Sequence, residues 1–229
     1  MTDTDKHRPI RSFVIRPGRM TAGQRKAMDE NWPRWGLLCE AGQLDPVQAF
    51  GREAPLVLEI GFGMGQSLAE MAAAAPGLNY LGIEVHRPGV GRLLHTLAES
   101  GTENVRVYCD DAVTVLKDCI GDASLAGVQI FFPDPWHKKR HFKRRLIQPE
   151  FVELLCRKLQ PGGFLHLATD WENYAEQILE VLSGNALLAN SAADGGYCPR
   201  PEQRPLTKFE KRGQRLGHGV WDLLFTRAD

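Results

Sequence analysis

The sequence predicts an α/β protein built on a doubly wound, mostly parallel sheet that ends in an antiparallel edge strand. From Leu56 onward, short apolar segments alternate regularly with segments rich in helix formers, as in sheets that carry helices on both faces. The clearest unit is residues 56–65, Leu-Val-Leu-Glu-Ile-Gly-Phe-Gly-Met-Gly, in which an apolar run ends in closely spaced glycines. This combination indicates a buried strand, a tight glycine turn and then the helix that residues 67–75 favour.

The remaining elements follow in chain order, and turn residues separate them. Pro76-Gly77, Gly101 and Pro161-Gly162-Gly163 interrupt the apolar pattern, as expected between the elements of a packed domain. The last apolar segment is predicted to pair antiparallel at the sheet edge. Further strands are predicted over residues 80–83, 105–108, 128–132, 164–168 and 220–226, further helices over 90–100 and 149–159, and a loop over 190–204.

Length and composition favour one domain with an extension, because domains usually hold about 100–200 residues and the chain has 229. Lys plus Arg equal Asp plus Glu at 28 each, so only local clusters of charge can indicate a polyanionic partner. Five scattered cysteines without a CxxC pattern favour reduced thiols over a zinc site or a disulfide framework. The sequence shows no signal peptide and no apolar run of about 18 residues, so we expect a cytoplasmic protein.

Residues 1–50 are predicted to form a basic N-terminal extension, and residues 51–229 the main domain. The first 26 residues carry seven Lys and Arg against two Asp, and their prolines prevent a continuous helix. A short helix is expected over 22–38, with Trp32 and Trp35 packing it onto the domain. The basic arm either contacts phosphates or remains a solvated tail.

The glycine turn is the candidate ligand site, because ligands of such sheets bind beyond the carboxyl ends of the strands. Gly61 and Gly63 allow positive φ and a close approach of the ligand to the backbone. A dinucleotide fingerprint needs glycine at the position of Gln66, so the spacing disfavours a nicotinamide cofactor. Glu59 would repel a pyrophosphate but suits the cationic ammonium or sulfonium of S-adenosylmethionine. A tight turn that binds nothing is the simpler alternative.

Carboxylates end other predicted strands at the same edge of the sheet. Glu84 follows an apolar strand about 20 residues after the glycine turn, where an acid bonds the ribose hydroxyls of a nucleotide. Asp111, chosen over Asp110 because it directly precedes a predicted helix, either contacts the ligand or serves as that helix's N-cap. Asp170 has the same two alternatives, with its helix starting near Asn173.

The strand over 128–132 runs into Pro133-Asp134-Pro135-Trp136. Two prolines fix the backbone around one acid and one aromatic side chain, and a reacting centre needs such rigid placement. The alternative is a pair of turn-forming prolines without a chemical role. We favour an active-site role for Asp134, because the carboxyl end of a central strand faces the bound cofactor.

A basic run follows directly, His-Lys-Lys-Arg-His-Phe-Lys-Arg-Arg over residues 137–145, with six Lys and Arg and no acid. Runs of charge are usually solvated surface. Because this run adjoins the predicted active centre, it favours a segment that contacts the phosphates of a nucleic acid.

Five motifs together give the chain a close resemblance to a known family. From about residue 55 to its end the chain resembles the bacterial tRNA (guanine-N7)-methyltransferases. The resemblance implies a Rossmann-like class I methyltransferase fold and methylation of guanosine at tRNA position 46, in the variable loop, with S-adenosylmethionine. The motifs are Glu-Ile-Gly-Phe-Gly-Met-Gly at 59–65, Phe-Phe-Pro-Asp-Pro-Trp-His-Lys-Lys-Arg-His at 131–141, Ala-Thr-Asp-Trp at 168–171, Thr-Lys-Phe-Glu at 207–210 and Gly-His-Gly-Val-Trp-Asp at 217–222.

The resemblance also implies roles for individual residues. The implied partner is tRNA, with no metal and no membrane, and the enzyme would be a monomer or a homodimer. Asp134 is the implied catalytic residue. The implied contacts, taken with the glycines of the turn, are to the cofactor at Glu59, Gly61, Gly63, Glu84, Asp111 and Asp134, to the substrate at Lys138, Asp170, Thr207, Lys208, Phe209 and Glu210, and to RNA at Arg140, His141, Phe142, Lys143, Arg144 and Arg145.

The implied chemistry needs no strong base. Guanine N7 carries a lone pair and no proton, so positioning should dominate, and Asp134 and Asp170 would stabilise the positive charge that reaches the ring. Three alternatives remain. An exocyclic-amine methyltransferase usually has two consecutive prolines at this strand end, a nicotinamide oxidoreductase is disfavoured by Gln66 and Glu59, and a non-catalytic RNA-binding protein would not need Glu59, Glu84 and Asp134 together.

Overall fold

The predicted α/β architecture with a mostly parallel sheet is confirmed by the computed structural model, which describes residues 12–13, 19–207, 210 and 219–229. These residues form one eight-stranded sheet in the order β1-β4-β3-β2-β5-β6-β8-β7. Every neighbouring pair is parallel except the two pairs that β8 makes, with β6 and with β7. The strands are β1 Gly36–Leu37, β2 Leu56–Ile60, β3 Asn79–Ile83, β4 Val105–Tyr108, β5 Leu125–Phe131, β6 Leu159–Thr169, β7 Leu188–Asn190 and β8 Trp221–Arg227.

Helices cover both faces of the sheet, and each face has its own apolar core. One core joins the sheet to α5, α6 and α7, and the other joins it to α1, α3 and α4. Within the described residues, no helix is both long and apolar enough to cross a membrane. The α-helices are α1 Ala22–Trp35, α2 Pro46–Phe50, α3 Gln66–Ala74, α4 Arg87–Ser100, α5 Ala112–Asp118, α6 Pro149–Lys158 and α7 Glu172–Ser183, with short 3-10 helices at Cys39–Ala41 and Lys139–Arg144.

The antiparallel end of the sheet differs in detail from the prediction. Strand β8 pairs with β6 as expected, but β7 lies outside it, so the three residues of β7 form the actual edge. The sequence predicted a loop from residue 190 and no strand just before it, because three residues are too few to show an alternating pattern. Strand β6 also begins at Leu159 rather than at Phe164, with an irregular register opposite Leu125 and Gly127.

Part of the predicted N-terminal extension packs on the sheet domain. Helix α1 begins with a capping box between Thr21 and Gln24 and packs against α4. Trp35 is only 1% exposed, and its Nε1 donates a hydrogen bond of 2.9 Å to the carbonyl of Thr102. Strand β1 then pairs parallel with β4. Residues from about Thr21 onward therefore contribute a helix and an edge strand to the main fold.

Replacing the buried indole tests whether α1 is integral to the domain. We expect Trp35→Ala to lower the free energy of unfolding by about 3–5 kcal/mol, because truncating a buried aromatic residue leaves a cavity. Urea unfolding at equilibrium measures this change. Leu38→Ala is the control, because Leu38 is 57% exposed and its loss should change stability by less than about 0.5 kcal/mol. Equal stabilities of Trp35→Ala and the wild type would show that α1 is a dispensable attachment.

Candidate active site

The carboxyl ends of the central strands enclose a groove with two adjoining cavities. Strands β2 to β5 run parallel, so the residues that follow them meet at one edge of the sheet. The cavities measure about 140 and 360 Å³ and share Gly61 and Phe131. Glu84, Asp111 and Asp134 line the smaller cavity, and Glu59, Gly63 and Thr207 line the larger one. The structure thus brings all the residues of the predicted cofactor site into one elongated groove.

The glycine turn is held open toward this groove by backbone hydrogen bonds and by Glu84. Gly61 and Gly63 have φ of 75° and 58°, and among the described residues, apart from the chain neighbours of each glycine, no atom lies within 4 Å of the Cβ that either position lacks. The two oxygens of Glu84 accept hydrogen bonds from the N–H groups of Gly63 at 2.8 Å and His86 at 2.9 Å. Each carboxylate oxygen keeps a free lone pair. Glu84 can therefore stabilise the turn and still accept hydrogen bonds from ribose hydroxyls.

Glu59 is a buried carboxylate with an unsatisfied oxygen. The residue is 2% exposed, and its Oε2 has no hydrogen-bond partner among the described residues. Burial and, to a smaller extent, the charge of Glu84 raise the pKa of Glu59 to about 8. A buried, unpaired carboxylate is unfavourable unless a partner arrives. Because the described lining of both cavities contains no Lys or Arg, the groove suits a cationic ligand rather than a phosphate.

Asp111 and Asp170, each considered as a possible helix N-cap, differ in whether they cap a helix. Oδ1 of Asp111 accepts a hydrogen bond of 3.1 Å from the N–H of Val113 and caps α5, and the residue also lines the smaller cavity. The capping role of Asp111 is therefore confirmed, and its contact with a ligand stays a prediction. The capping role considered for Asp170 is wrong, because α7 begins at Glu172 with Trp171 as its N-cap residue. Asp170 is exposed at the end of β6, next to the end of β5.

The segment Phe132–Trp136 follows β5 in an unusual backbone conformation. Phe132 and Trp136, which flank Pro133-Asp134-Pro135, have φ of 53° and 47°. Bulky residues rarely adopt positive φ, and where they do the surroundings must impose it. One such contact is the hydrogen bond of 2.7 Å from the N–H of Phe132 to the carbonyl of Ala168 on β6. The segment holds Asp134, which is exposed, at a fixed place beside the groove.

Arg145 was expected to contact RNA, and the structure corrects this. It is 2% exposed, and its guanidinium donates hydrogen bonds of 2.8 Å to the carbonyl of Pro135 and 2.9 Å to Oδ1 of Asn173. The same group lies over the rings of Phe142, at 3.6 Å, and Tyr174, at 4.7 Å. Arg145 therefore ties the Phe132–Trp136 segment to α7, and its charge is not available to a phosphate.

Several other cations of the basic run, which follows Asp134 in the chain, are at the protein surface. Lys138, Arg140 and Lys143 are exposed; Lys138 directly precedes the short 3-10 helix, and Arg140 and Lys143 lie within it. Arg144 lies over the indole of Trp136 at 4.0 Å, and Nε1 of Trp136 donates a hydrogen bond of 3.1 Å to the carbonyl of Ser12. His141 and Phe142 are half-buried beneath these cations. The described part of the chain contains no cluster of His, Cys, Asp and Glu able to hold a metal.

A buried charge network, which the sequence interpretation did not identify, includes Arg204, whose chain neighbour Pro205 lines the larger cavity. Arg204 donates hydrogen bonds of 2.7 and 2.9 Å to the carboxylate of Asp222 and of 2.7 and 2.8 Å to that of Glu210. Nε2 of His166, on β6, lies 2.8 Å from Oδ1 of Asp222. Burial alone would raise the pKa of Asp222, but the hydrogen bonds from His166 and Arg204 outweigh it and lower this pKa.

The network also corrects the role expected for Glu210. Both of its oxygens are occupied by Arg204, and the residue is buried, so it does not face a substrate in this structure. Its N–H donates a hydrogen bond of 3.1 Å to Oγ1 of Thr207, and Thr207 lines the larger cavity. Glu210 therefore positions Thr207. Lys208 and Phe209, also expected to bind substrate, lie outside the described residues.

Removing the central cation tests the network. We expect Arg204→Ala to lower the free energy of unfolding by about 3–5 kcal/mol, because it leaves two buried carboxylates without their partner. Arg200→Ala is the matched control, since Arg200 is an exposed arginine of the same segment. Its removal should change stability by less than about 1 kcal/mol. Urea unfolding of both variants measures the difference. Similar decreases in the free energy of unfolding would show that the buried network does not stabilise the fold more than a surface arginine does.

Comparisons with known proteins agree with the geometry. A family model described as "Putative methyltransferase" matches residues 53–223. The solved 16S rRNA methyltransferase KamB has a TM-score of 0.59 at 14% identity, with 80% of this chain and 92% of that chain covered. An rRNA methylase from Streptococcus thermophilus has a TM-score of 0.53 at 13% identity, with 77% and 88% covered. At such low identity these structures show the fold alone, which is that of class I methyltransferases.

Sequence relatives are much more similar. The chain is 61% identical over 220 residues to the tRNA (guanine-N(7)-)-methyltransferase of Alcanivorax borkumensis, with 96% of this chain and 92% of the relative covered. It is 60% identical over 222 residues to the enzyme of the same name from Marinobacter nauticus, with 97% and 93% covered. The chain therefore belongs to the tRNA (guanine-N(7)-)-methyltransferase family.

Proposed function

We propose that this protein transfers the methyl group of S-adenosylmethionine to N7 of guanosine at position 46 in the variable loop of tRNA. The observation that carries the proposal is the position of the acidic groove. In a chain of this family, Asp134 lines the groove, and the exposed cations of the basic run begin at Lys138, shortly after it in the chain. A groove that suits a cationic cofactor and a surface that suits phosphates meet at Asp134.

The groove residues fit S-adenosylmethionine, which supplies an activated methyl group when bound. Glu59 would pair with its ammonium group, because this carboxylate is buried and lacks a partner. Glu84 would accept hydrogen bonds from the ribose hydroxyls. Asp111 would accept a hydrogen bond from the adenine amino group at the other end of the groove. The turn at Gly61 and Gly63 leaves room for the ligand against the backbone.

The reaction needs positioning more than proton transfer. Guanine N7 can attack through its lone pair, so the protein must align the base with the methyl group rather than deprotonate it. Asp134, on a segment with positive φ at both flanking residues, would do this together with Asp170, which follows the neighbouring strand. Carboxylates that are already oriented stabilise the positive charge that develops on the ring. Thr207, held by Glu210, would contact the substrate from the opposite side of the groove.

The tRNA contacts follow from the exposed cations. Lys138, Arg140 and Lys143 would neutralise phosphates, so tRNA affinity should fall with salt. Arg144 with His141 and Phe142 would complete this surface. We also propose a cytoplasmic location, since the five cysteines are free thiols, and a monomer or a homodimer as the assembly. The basic arm before the described fold would add further phosphate contacts.

The proposed reaction is tested by methyl transfer from labelled S-adenosylmethionine to unmodified tRNA transcripts, with mass spectrometry of the nucleosides. We expect 7-methylguanosine, and we expect it to disappear when guanosine 46 is replaced. Product that persists after the replacement would move the target to another guanosine. Cofactor binding without any transfer to tRNA would contradict the proposed substrate.

Asp134→Asn tests the role of the strained segment. We expect kcat to fall about 100-fold, as when one preorganised electrostatic contact is lost from an active site, while folding stays unchanged. Asp110→Asn is the control, because Asp110 also lines the smaller cavity. We expect this variant to keep its kcat. Single-turnover kinetics at saturating cofactor separates the two, and near-normal turnover of Asp134→Asn would contradict the assignment.

Glu59→Gln should affect stability and cofactor binding in opposite directions. In the wild type, the raised pKa of about 8 means that the stability contributed by protonated Glu59 is complete below the unfolded-state pKa and is lost as pH rises toward 8. We expect the amide to remove this loss, and to weaken cofactor binding about tenfold or more, because it lacks the charge that holds the ammonium.

Urea unfolding from about pH 4 to 9, which spans the unfolded-state and folded-state pKa values, and calorimetric titration with the cofactor measure the two effects of Glu59→Gln. The control is Glu70→Gln, since Glu70 lines the same cavity but is exposed, and we expect both of its profiles to follow the wild type. Identical pH profiles of stability in Glu59→Gln and the wild type would contradict the buried, protonated state of Glu59.

A further inference from the structure

An exposed aromatic pair lies beside the active-site carboxylates and belongs to neither cavity. Trp171 is 39% exposed, and His137 is exposed as well. Their ring centroids are 4.2 Å apart with planes at 67°, so the two rings meet edge to face. Trp136 differs, because Arg144 and Ser12 cover its indole. The proposed function assigns no role to Trp171 or His137.

The sheet fixes where this pair sits. Strands β5 and β6 pair in parallel with Phe131 opposite Ala168, so the two chains leave the sheet side by side. Asp134 and His137 follow β5, and Asp170 and Trp171 follow β6. The contact between His137 and Trp171 therefore joins the two segments just outside the two carboxylates.

The backbone of Trp171 is rigid although its ring is exposed. Its N–H donates a hydrogen bond of 3.3 Å to Oγ1 of Thr169, and its carbonyl accepts hydrogen bonds of 2.9 Å from the N–H groups of Tyr174 and Ala175. An aromatic ring held in this way loses little conformational entropy when a ligand stacks on it.

The surroundings of the pair favour RNA over a protein partner. Lys138, Lys139 and Arg140 are exposed next to His137, whereas Asp170 and Glu172, both exposed, flank Trp171. The core of a protein interface is depleted in charged residues. Aromatic rings beside a basic surface are instead the usual site for unstacked bases of RNA.

We propose that Trp171, supported by His137, stacks on an unstacked nucleobase that neighbours the methylated guanosine. The pair lies outside both cavities, so it contacts a flanking nucleotide while the target base enters the groove at Asp134. This inference rests on the proposed function, because it takes RNA as the substrate. The stack would hold the RNA backbone in a bent path at the mouth of the groove and so help to place N7.

The test couples protein variants to single abasic sites in the RNA. A set of tRNA transcripts carries one abasic nucleotide at each position around the target guanosine, and their melting curves confirm that they fold. We expect Trp171→Ala to raise the Kd for intact RNA about tenfold, as in other base–aromatic stacks, with Trp171→Phe close to the wild type. At one position, the abasic substitution should raise the Kd of the wild-type protein for the RNA to the same degree. The same substitution should leave the Kd of Trp171→Ala unchanged.

The matched control is Leu187→Ala. Leu187 is 43% exposed and follows the opposite end of α7, which is 12 residues long, or about 18 Å. The Leu187→Ala variant should bind RNA with the affinity of the wild type, and all variants should bind the cofactor equally. The proposal would be overturned if Trp171→Ala bound RNA as tightly as the wild type. It would also be overturned if, at every abasic position, the affinity lost through the abasic site simply added to the affinity lost through Trp171→Ala. A change of oligomeric state in Trp171→Ala without a change in RNA affinity would overturn it as well, because the ring would then be a protein contact.

The two proposals can fail separately. If the wild type methylates tRNA but no abasic position couples to Trp171, only the stacking proposal is wrong. If one position couples to Trp171 but no methyl group is transferred to tRNA, the contact between Trp171 and an RNA base stands, and the proposed reaction is wrong.

Discussion

The active site depends on a strained backbone segment that the rest of the structure holds in place. Positive φ at a bulky residue costs about 1–3 kcal/mol, and both Phe132 and Trp136 have it. A hydrogen bond to β6 fixes Phe132, and Arg145 binds the carbonyl of Pro135. Arg204 lies 5.6 Å from the ring of Phe132. Through these contacts the folded core supplies the energy that keeps Asp134 at the edge of the groove.

Burial divides the cations of this protein into two functional groups. Lys138, Arg140 and Lys143 of the basic run are exposed, while Arg145 and Arg204 are paired with carbonyls and carboxylates in the interior. The planar guanidinium suits such buried sites, because its several N–H donors can satisfy more than one partner at fixed angles. A chain with no net charge can thus present a basic surface at one place and an acidic groove beside it.

The sequence sufficed for the longer strands of the sheet and for the edge at which the acids of the groove lie. Parallel strands end at one edge, so acids that soon follow a predicted strand, such as Glu84 and Asp111, could be placed there without knowing side-chain contacts. The strands β1 and β7 were missed because two or three residues carry no periodic signal. Arg145 and Glu210 were misassigned because burial depends on tertiary contacts, and the His166–Asp222 pair joins positions 56 residues apart. A polar residue inside an apolar strand was the available signal for both members of that pair.

The acidic groove also has a consequence for the order of events. S-adenosylmethionine bound in this groove would carry a positive sulfonium, and the carboxylates that line the two cavities would attract it, because their described lining contains no Lys or Arg. Transfer would leave the sulfur neutral and move the positive charge to the guanine ring. The attraction inside the groove would therefore be weaker for the spent cofactor than for the fresh one, since Coulomb energy follows the charge. The carboxylates that would favour binding of the methyl donor would thus also favour its replacement after each turnover.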